Sequence, residues 1–131
     1  MNKFLLDTDI CIAVIKGHPC VIEHIYDKGQ ECCCVSEITI AELYYGAAKS
    51  GKQNHYSDIR KIEELFDVLP LGYSLPLYGK IRAELESQGN RLDNFDLLIA
   101  ATALQENITL VTGNEKHFNR IQGLNIQNWM K

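Results

Sequence analysis

Acidic side chains stand at three points where the neighbouring sequence is otherwise apolar. Asp7 follows Lys3-Phe4-Leu5-Leu6, a run of strand character that turns polar at Asp7-Thr8-Asp9. Glu42 lies in the segment Ser36 to Ala48, which is apolar around most of a helical circumference, with Ile38, Thr39, Tyr45 and Gly46 one turn away. A shielded carboxylate without a partner is costly and tends to take up a proton. Asp96 falls in the first turn of a helix that Asp93 can cap, and from Leu97 to Leu104 only Thr102 is polar, so that helix is buried on nearly all sides. Each acid has an ordinary explanation when taken alone. One near a helix start gains ~0.3–1 kcal/mol from the exposed amides and dipole, and a helical Glu pairs with a base or reaches solvent. Lys49, two turns beyond Glu42, cannot be that base.

Acids brought to one place repel each other and repel a phosphate. They become useful once a divalent cation sits among them. Hard oxygen ligands suit magnesium, with manganese as a substitute, and such an ion keeps several waters that phosphate oxygens can replace. It polarises a phosphoryl group and makes bound water a better nucleophile, and a second ion about 3.5–4 Å away steadies the leaving oxygen.

The elements that must position these acids alternate between strand and helix. Leu6 ends a first strand, and Ile10 to Ile15 reads as a short helix stopped by Gly17, with Asp9 as its cap. Pro19 opens a second helix that sets Val21, Ile22, Ile25 and Tyr26 on one face and closes at Gly29. Glu31 to Val35 reads as a brief strand, Ser36 caps a helix through about Lys49, and Gly51 ends it. Ile59, Ile62, Leu65 and Phe66 recur at helical spacing, Asp67 to Leu71 has strand chemistry, and Ser74 before Pro76 announces a helix with Tyr78, Ile81 and Leu85 inward. After the Asp96 helix, Ile108 to Thr112 reads as a buried parallel strand, and Gly123 to Trp129 as a last short one. The pattern predicts one α/β domain over residues 1–131, a mostly parallel sheet of four to five strands with helices on both faces. In such sheets ligands gather at the carboxyl ends of strands, where Asp7 and Thr112-Gly113-Asn114 fall.

Composition excludes several classes. With a formal net charge of −4, the chain has no basic footprint with which to grip nucleic acid by charge alone. No apolar run approaches the ~18–20 residues of a membrane span and no secretory leader precedes Phe4, so the expectation is a cytoplasmic protein. Cys11, Cys20, Cys32, Cys33 and Cys34 are odd in number, and neighbours on a strand point to opposite faces, so they read as small apolar residues in a reducing compartment and not as a zinc site.

Leu5-Leu6-Asp7-Thr8, Ile38-Thr39-Ile40-Ala41-Glu42-Leu43 with Gly46, Asp96-Leu97-Leu98-Ile99-Ala100-Ala101 and Leu110-Val111-Thr112-Gly113-Asn114 resemble the ordered motifs of PIN-domain ribonucleases, and more closely those of VapC toxins of bacterial toxin–antitoxin pairs. The resemblance covers the whole chain. It implies a PIN-like fold and a magnesium-dependent endoribonuclease that cuts RNA to 5′-phosphate and 3′-hydroxyl ends, usually as a homodimer silenced by a VapB-like antitoxin. By that carry-over Asp7, Glu42 and Asp96 are the acids of the metal site, and Thr8 and Thr112 orient ligands or water. Many relatives have a fourth acid either at the position of Asn114 or just before the following Phe. Here those places hold Asn114, a weaker neutral oxygen ligand, and His117, which reads as a lone surface residue sooner than as a phosphate contact, with Glu115 between them. Lys49 and Lys52, with Arg60 and Lys61, form the densest basic stretch near the Glu42 helix and are candidates to guide an RNA backbone.

Asp9 stands where relatives often carry an uncharged residue, and it opens a rival. Asp7-Thr8-Asp9 also resembles the first motif of haloacid-dehalogenase phosphatases, in which the first Asp is the nucleophile and the second the acid. That reading leaves Glu42 and the Asp96 helix without a role. A non-catalytic PIN-like binding module, suggested by the absent fourth acid, is the other alternative.

Overall fold

The computed structural model describes residues 1–131. Its centre is a sheet of five parallel strands, β1 (Phe4–Leu6), β2 (Cys33–Ser36), β3 (Asp67–Leu69), β4 (Thr109–Val111) and β5 (Ile126–Gln127), in the spatial order β3-β2-β1-β4-β5. Leu6 pairs with Val35 on one side and Val111 on the other, so β1 is the middle strand. The chain winds outward from β1 through β2 to β3, then crosses back to lay β4 and β5 on the opposite side. That reversal puts a topological switch point between β1 and β4, the place where open parallel sheets form a ligand crevice.

Seven helices cover the sheet: α1 (Thr8–Ile15), α2 (Pro19–Lys28), α3 (Glu37–Ser50), α4 (Gln53–Leu65), α5 (Leu75–Ser87), α6 (Asn94–Glu106) and α7 (Glu115–Phe118). Because successive strand side chains alternate in direction, β1 feeds two cores. Leu6 packs with Ile10, Val21, Ile40, Ile59 and Trp129 on one face. Leu5 packs with Ile81, Leu97, Ile99 and Phe118 on the other. Helix α6 meets the second core through Ala100, Ala101 and Ala103, each fully buried, and these short side chains let its axis approach the sheet closely.

The helix starts and stops follow local chemistry. Ser36 accepts from the Ile38 N–H at 3.0 Å, and Gly51 ends α3 in the left-handed region at φ 68°. Asp93 caps α6 by accepting from the amides of Phe95 at 3.1 Å and Asp96 at 3.4 Å. Other expectations need correction. Helix α1 starts at Thr8, not Ile10, because Asp7 and not Asp9 is its cap, accepting from the Thr8 N–H at 2.8 Å. Strand β2 starts at Cys33, since Gln30–Cys32 forms a 3-10 turn. On α2 only Val21 and Ile25 reach the core, while Ile22 and Tyr26, one position round, are 43% and 90% exposed. Helix α5 follows Ser74 as expected, although the Ser74 hydroxyl makes no capping bond and donates back to the Leu71 carbonyl. Cys11, Cys33 and Cys34 are buried and free, and burial pushes the Cys33 and Cys34 thiols up to about 12, so they remain protonated. No helix is long and apolar enough to cross a membrane.

Candidate metal centre

Helix α1 leaves directly from the end of β1, and α6 runs back to the start of β4, so the heads of both helices lie at the carboxyl edge of the sheet. The Asp7, Asp96 and Thr112 positions therefore share one rim. Asp7 sits at the end of β1, where its own amide still donates to the Val111 carbonyl at 2.9 Å, and its side chain is only 6% exposed. One carboxylate oxygen accepts from the Thr8 amide, and the other accepts from the Thr112 hydroxyl at 2.8 Å. The Thr112–Asp7 bond spans the switch point from β4 to β1. Thr112 in turn accepts from the Asn114 N–H at 3.0 Å, which fixes the turn leading out of β4.

Glu42 approaches from α3. The Thr8 hydroxyl donates to its Oε1 at 2.7 Å and also lies 3.1 Å from the Thr39 hydroxyl. No Lys or Arg pairs with Glu42. Asp96 projects from the first turn of α6, half-buried, and its Oδ2 lies 3.3 Å from Nδ1 of His117 on α7.

The electrostatics show a shared field. Burial pushes the Asp7 carboxyl up to about 7, with a further upward push from Asp9 and a smaller one from Asp96, opposed by the Thr112 and Thr8 hydrogen bonds. Burial also raises Asp9, Glu42 and Asp96. For Glu42 the Thr8 hydrogen bond pulls the other way and the charges of Asp96 and Asp93 add to the rise. For Asp96 the His117 hydrogen bond is the main opposing influence, and Asp93 and Asp9 add to the rise. In the absence of a cation, burial first and neighbouring charges second favour the protonated state of these side chains.

Such a donor set fits a divalent hard cation. No group of three or more histidine, cysteine, aspartate or glutamate side chains is placed to hold a metal ion by itself. Magnesium does not need one, because it is ordinarily held by one or two carboxylates and completes its octahedron with water and substrate phosphate oxygens. The carboxylates of Asp7 and Asp96 supply the required oxygen chemistry, and Thr8 leaves Glu42 its charge while fixing its direction.

The remaining candidates lie further out. Asn114 is exposed at the start of α7, tied in through its backbone. Lys49 and Lys52 stand exposed at the α3–α4 corner, with the Lys49 ammonium 6.0 Å above the Tyr45 ring. Glu115 turns toward the C-terminus, reaching Asn128 at 3.3 Å and Lys131 at 3.8 Å. A groove of ≈ 350 Å³ opens beside Glu42 and Thr8, with Ile12, Gly46, His55 and Ile59 along it. Two participants escaped the sequence reading. His117 was expected as a lone surface residue, yet it meets Asp96. Asp9 was expected as a helix cap, yet its Oδ2 accepts from the Gly113 N–H at 2.9 Å. The signal for Asp9 was its spacing from Asp7, which puts both at the head of one helix.

Comparison with known proteins agrees with this fold. The model of the PIN domain family matches residues 4–124. The chain is 37% identical to the tRNA(fMet)-specific endonuclease VapC of Shigella flexneri, with 98% of this chain and 99% of that protein covered. It is 39% identical to Ribonuclease VapC2 of Haemophilus influenzae, covering 99% of this chain and 100% of that one. Among solved structures, VapBC2 from Rickettsia felis bound to a DNA fragment from their promoter superposes with a TM-score of 0.86 at 35% identity, over 96% of this chain and 98% of that chain.

Proposed function

This chain belongs to the PIN-domain family, and from that premise we propose that it is a VapC-type endoribonuclease, the toxin of a type II toxin–antitoxin pair, acting on RNA with a divalent metal. Membership displaces the phosphatase alternative, which leaves Glu42 and the Asp96 helix without a role. What supports the reading is that burial raises Asp7, Glu42 and Asp96 together, with the charge of Asp96 adding to the rise at both Asp7 and Glu42. Uncompensated acids in one shared field are a destabilising arrangement that a protein keeps for a purpose.

In this reading Asp7 and Asp96 hold the ion, magnesium by preference and manganese as a substitute, with Glu42 alongside and Asn114 as a weaker oxygen donor. When bound, the ion polarises the phosphodiester and activates water for in-line attack. Thr112 and Thr8 keep the Asp7 oxygens fixed in direction, and Thr8 holds Glu42 toward the same space. Glu42, raised by its surroundings, is suited to accept a proton from attacking water. The positive charge of the bound ion also answers how a chain of net charge −4 meets an RNA backbone. The products would be a 5′-phosphate and a 3′-hydroxyl.

The partners that go with this reading are a VapB-like antitoxin and a second copy of the chain, in the cytoplasm. The test is to map cut sites in total cellular RNA with magnesium and with chelator, including tRNA(fMet) because the relative from Shigella flexneri is named for it. Cleavage that needs the metal and is stopped by the co-expressed antitoxin is expected. Metal binding without cleavage of any RNA would instead favour a PIN-like binding module.

A further inference from the structure

We propose that Asp9 is the fourth acid of this site, pinning the loop after β4 with one carboxylate oxygen and supplying with the other the anionic character toward the metal that Asn114 lacks. The inference rests on the metal-dependent reading above, and it begins with Gly113. Asp9 Oδ2 accepts from the Gly113 amide at 2.9 Å, and a Cβ at residue 113 would stand 2.8 Å from that same oxygen. Gly113 is absent from the positive-φ glycines of the chain, so its backbone does not require the residue to be glycine. A side chain there would instead push the Asp9 carboxylate off the amide it accepts from. The two residues are 104 apart in sequence and form a latch between the head of α1 and the exit of β4.

The latch has a definite load. Residue 113 lies between Thr112, whose hydroxyl donates to Asp7, and Asn114, whose amide donates to that hydroxyl. Holding Gly113 therefore holds the turn that aims Thr112 at Asp7. The second oxygen has no such employment. Asp9 Oδ1 is buried from solvent and has no hydrogen-bond partner. No lysine, arginine or histidine forms an ion pair with Asp9. The first amides of α1 favour its charge without reaching Oδ1. A buried carboxylate oxygen left unpaired costs free energy that a bound cation returns. The charge of Asp9 adds to the rise at both Asp7 and Asp96.

Calorimetric titration with Mg2+ or Mn2+ alone, in the absence of RNA, separates the two functions. Asp9→Asn keeps an oxygen to accept from Gly113 and removes the charge, so metal affinity is expected to fall about 10-fold or more with no loss of metal-free Tm. Asp9→Ala removes both, and the Gly113 amide should then exchange with solvent faster as well. Asn114→Asp should raise metal affinity more in the Asp9→Asn background than in the wild type, a coupling that a purely structural role for Asp9 would not give. Wild-type metal affinity in Asp9→Asn overturns the anionic role, and unchanged Gly113 exchange in Asp9→Ala overturns the latch. A wild-type chain that binds the metal but cuts no RNA removes the nuclease reading and leaves the Asp9 result standing; one that binds no divalent cation overturns both.

Discussion

The Thr8 hydroxyl donates to Glu42 Oε1 at 2.7 Å across 34 residues of sequence, joining the head of α1 to the middle of α3. A hydroxyl in this place steers a carboxylate and leaves its charge intact, whereas a lysine would neutralise the site. Thr8→Val removes the donor at nearly constant volume. Since the hydrogen bond acts to lower the Glu42 pKa, its loss should raise it further. The acidic limb of the pH profile for RNA cleavage should move to higher pH, with kcat/KM down on the order of 10-fold at neutral pH. A profile that stays in place while activity falls would show that Thr8 acts through packing alone.

Asp93 and Asp96 separate folding from chemistry within one helical turn. Asp93 is the cap of α6, and Asp96 makes no capping bond through its side chain. Asp93→Ala should cost about 1 kcal/mol of stability and leave most of the metal affinity. Asp96→Asn should leave the thermal midpoint within a few degrees and reduce metal-dependent cleavage on the order of 100-fold. Turnover at the wild-type rate in purified Asp96→Asn would remove that residue from the site.

This pair also shows what could be read from sequence and what could not. The Asp93 cap, the buried Leu97 to Leu104 run and the parallel sheet were all legible, because capping and hydrophobic period are local. The expectation that Asp7, Glu42 and Asp96 serve one site came from motif resemblance together with the rule that open sheets bind at strand carboxyl ends. The Asp9–Gly113 and His117–Asp96 contacts were not legible, since each is fixed by which strands neighbour one another and pairs residues 104 and 21 positions apart. The misplaced face of α2 has the same origin. Periodicity groups Val21, Ile22, Ile25 and Tyr26 as one stripe, but how wide a stripe the sheet covers is a tertiary matter.

Asp7 makes metal-free stability depend on pH in a definite direction. Its folded pKa of about 7 stands above the ordinary 3.8. Between those values the unfolded chain has released its proton while the folded chain keeps it, so stability falls as pH rises through this window. The full penalty is present above about pH 7 and absent below about pH 4, with a ceiling of about 4 kcal/mol. Without metal, Asp7→Asn should therefore raise the thermal midpoint by several degrees near pH 8 and by little near pH 4. Saturating magnesium should reverse the order, because only the wild type gains binding free energy. Thermal unfolding at both pH values, with magnesium and with chelator, checks this; a variant less stable than wild type near pH 8 in chelator would count against a strained acid at this position.

Lys49 and Lys52 offer the remaining question, how RNA is held beyond the reacting phosphate. Both are exposed at the α3–α4 corner, and Lys49 leans over Tyr45. A lysine that neutralises a phosphate releases a counterion, so its removal should flatten the plot of log affinity against log salt by about 0.7 for single-stranded RNA. Lys52→Ala is the cleaner probe, since Lys52 has neither an ion pair nor a ring beneath it. Binding should be measured with Asp96→Asn in the background, where cleavage no longer consumes the RNA, across a salt series in the presence of magnesium. A slope reduced by that amount puts the corner on the path of the backbone. An unchanged slope with unchanged affinity puts the RNA elsewhere and leaves Lys52 as a solvated surface residue, in which case the groove alongside Glu42 is the next place to look for contacts.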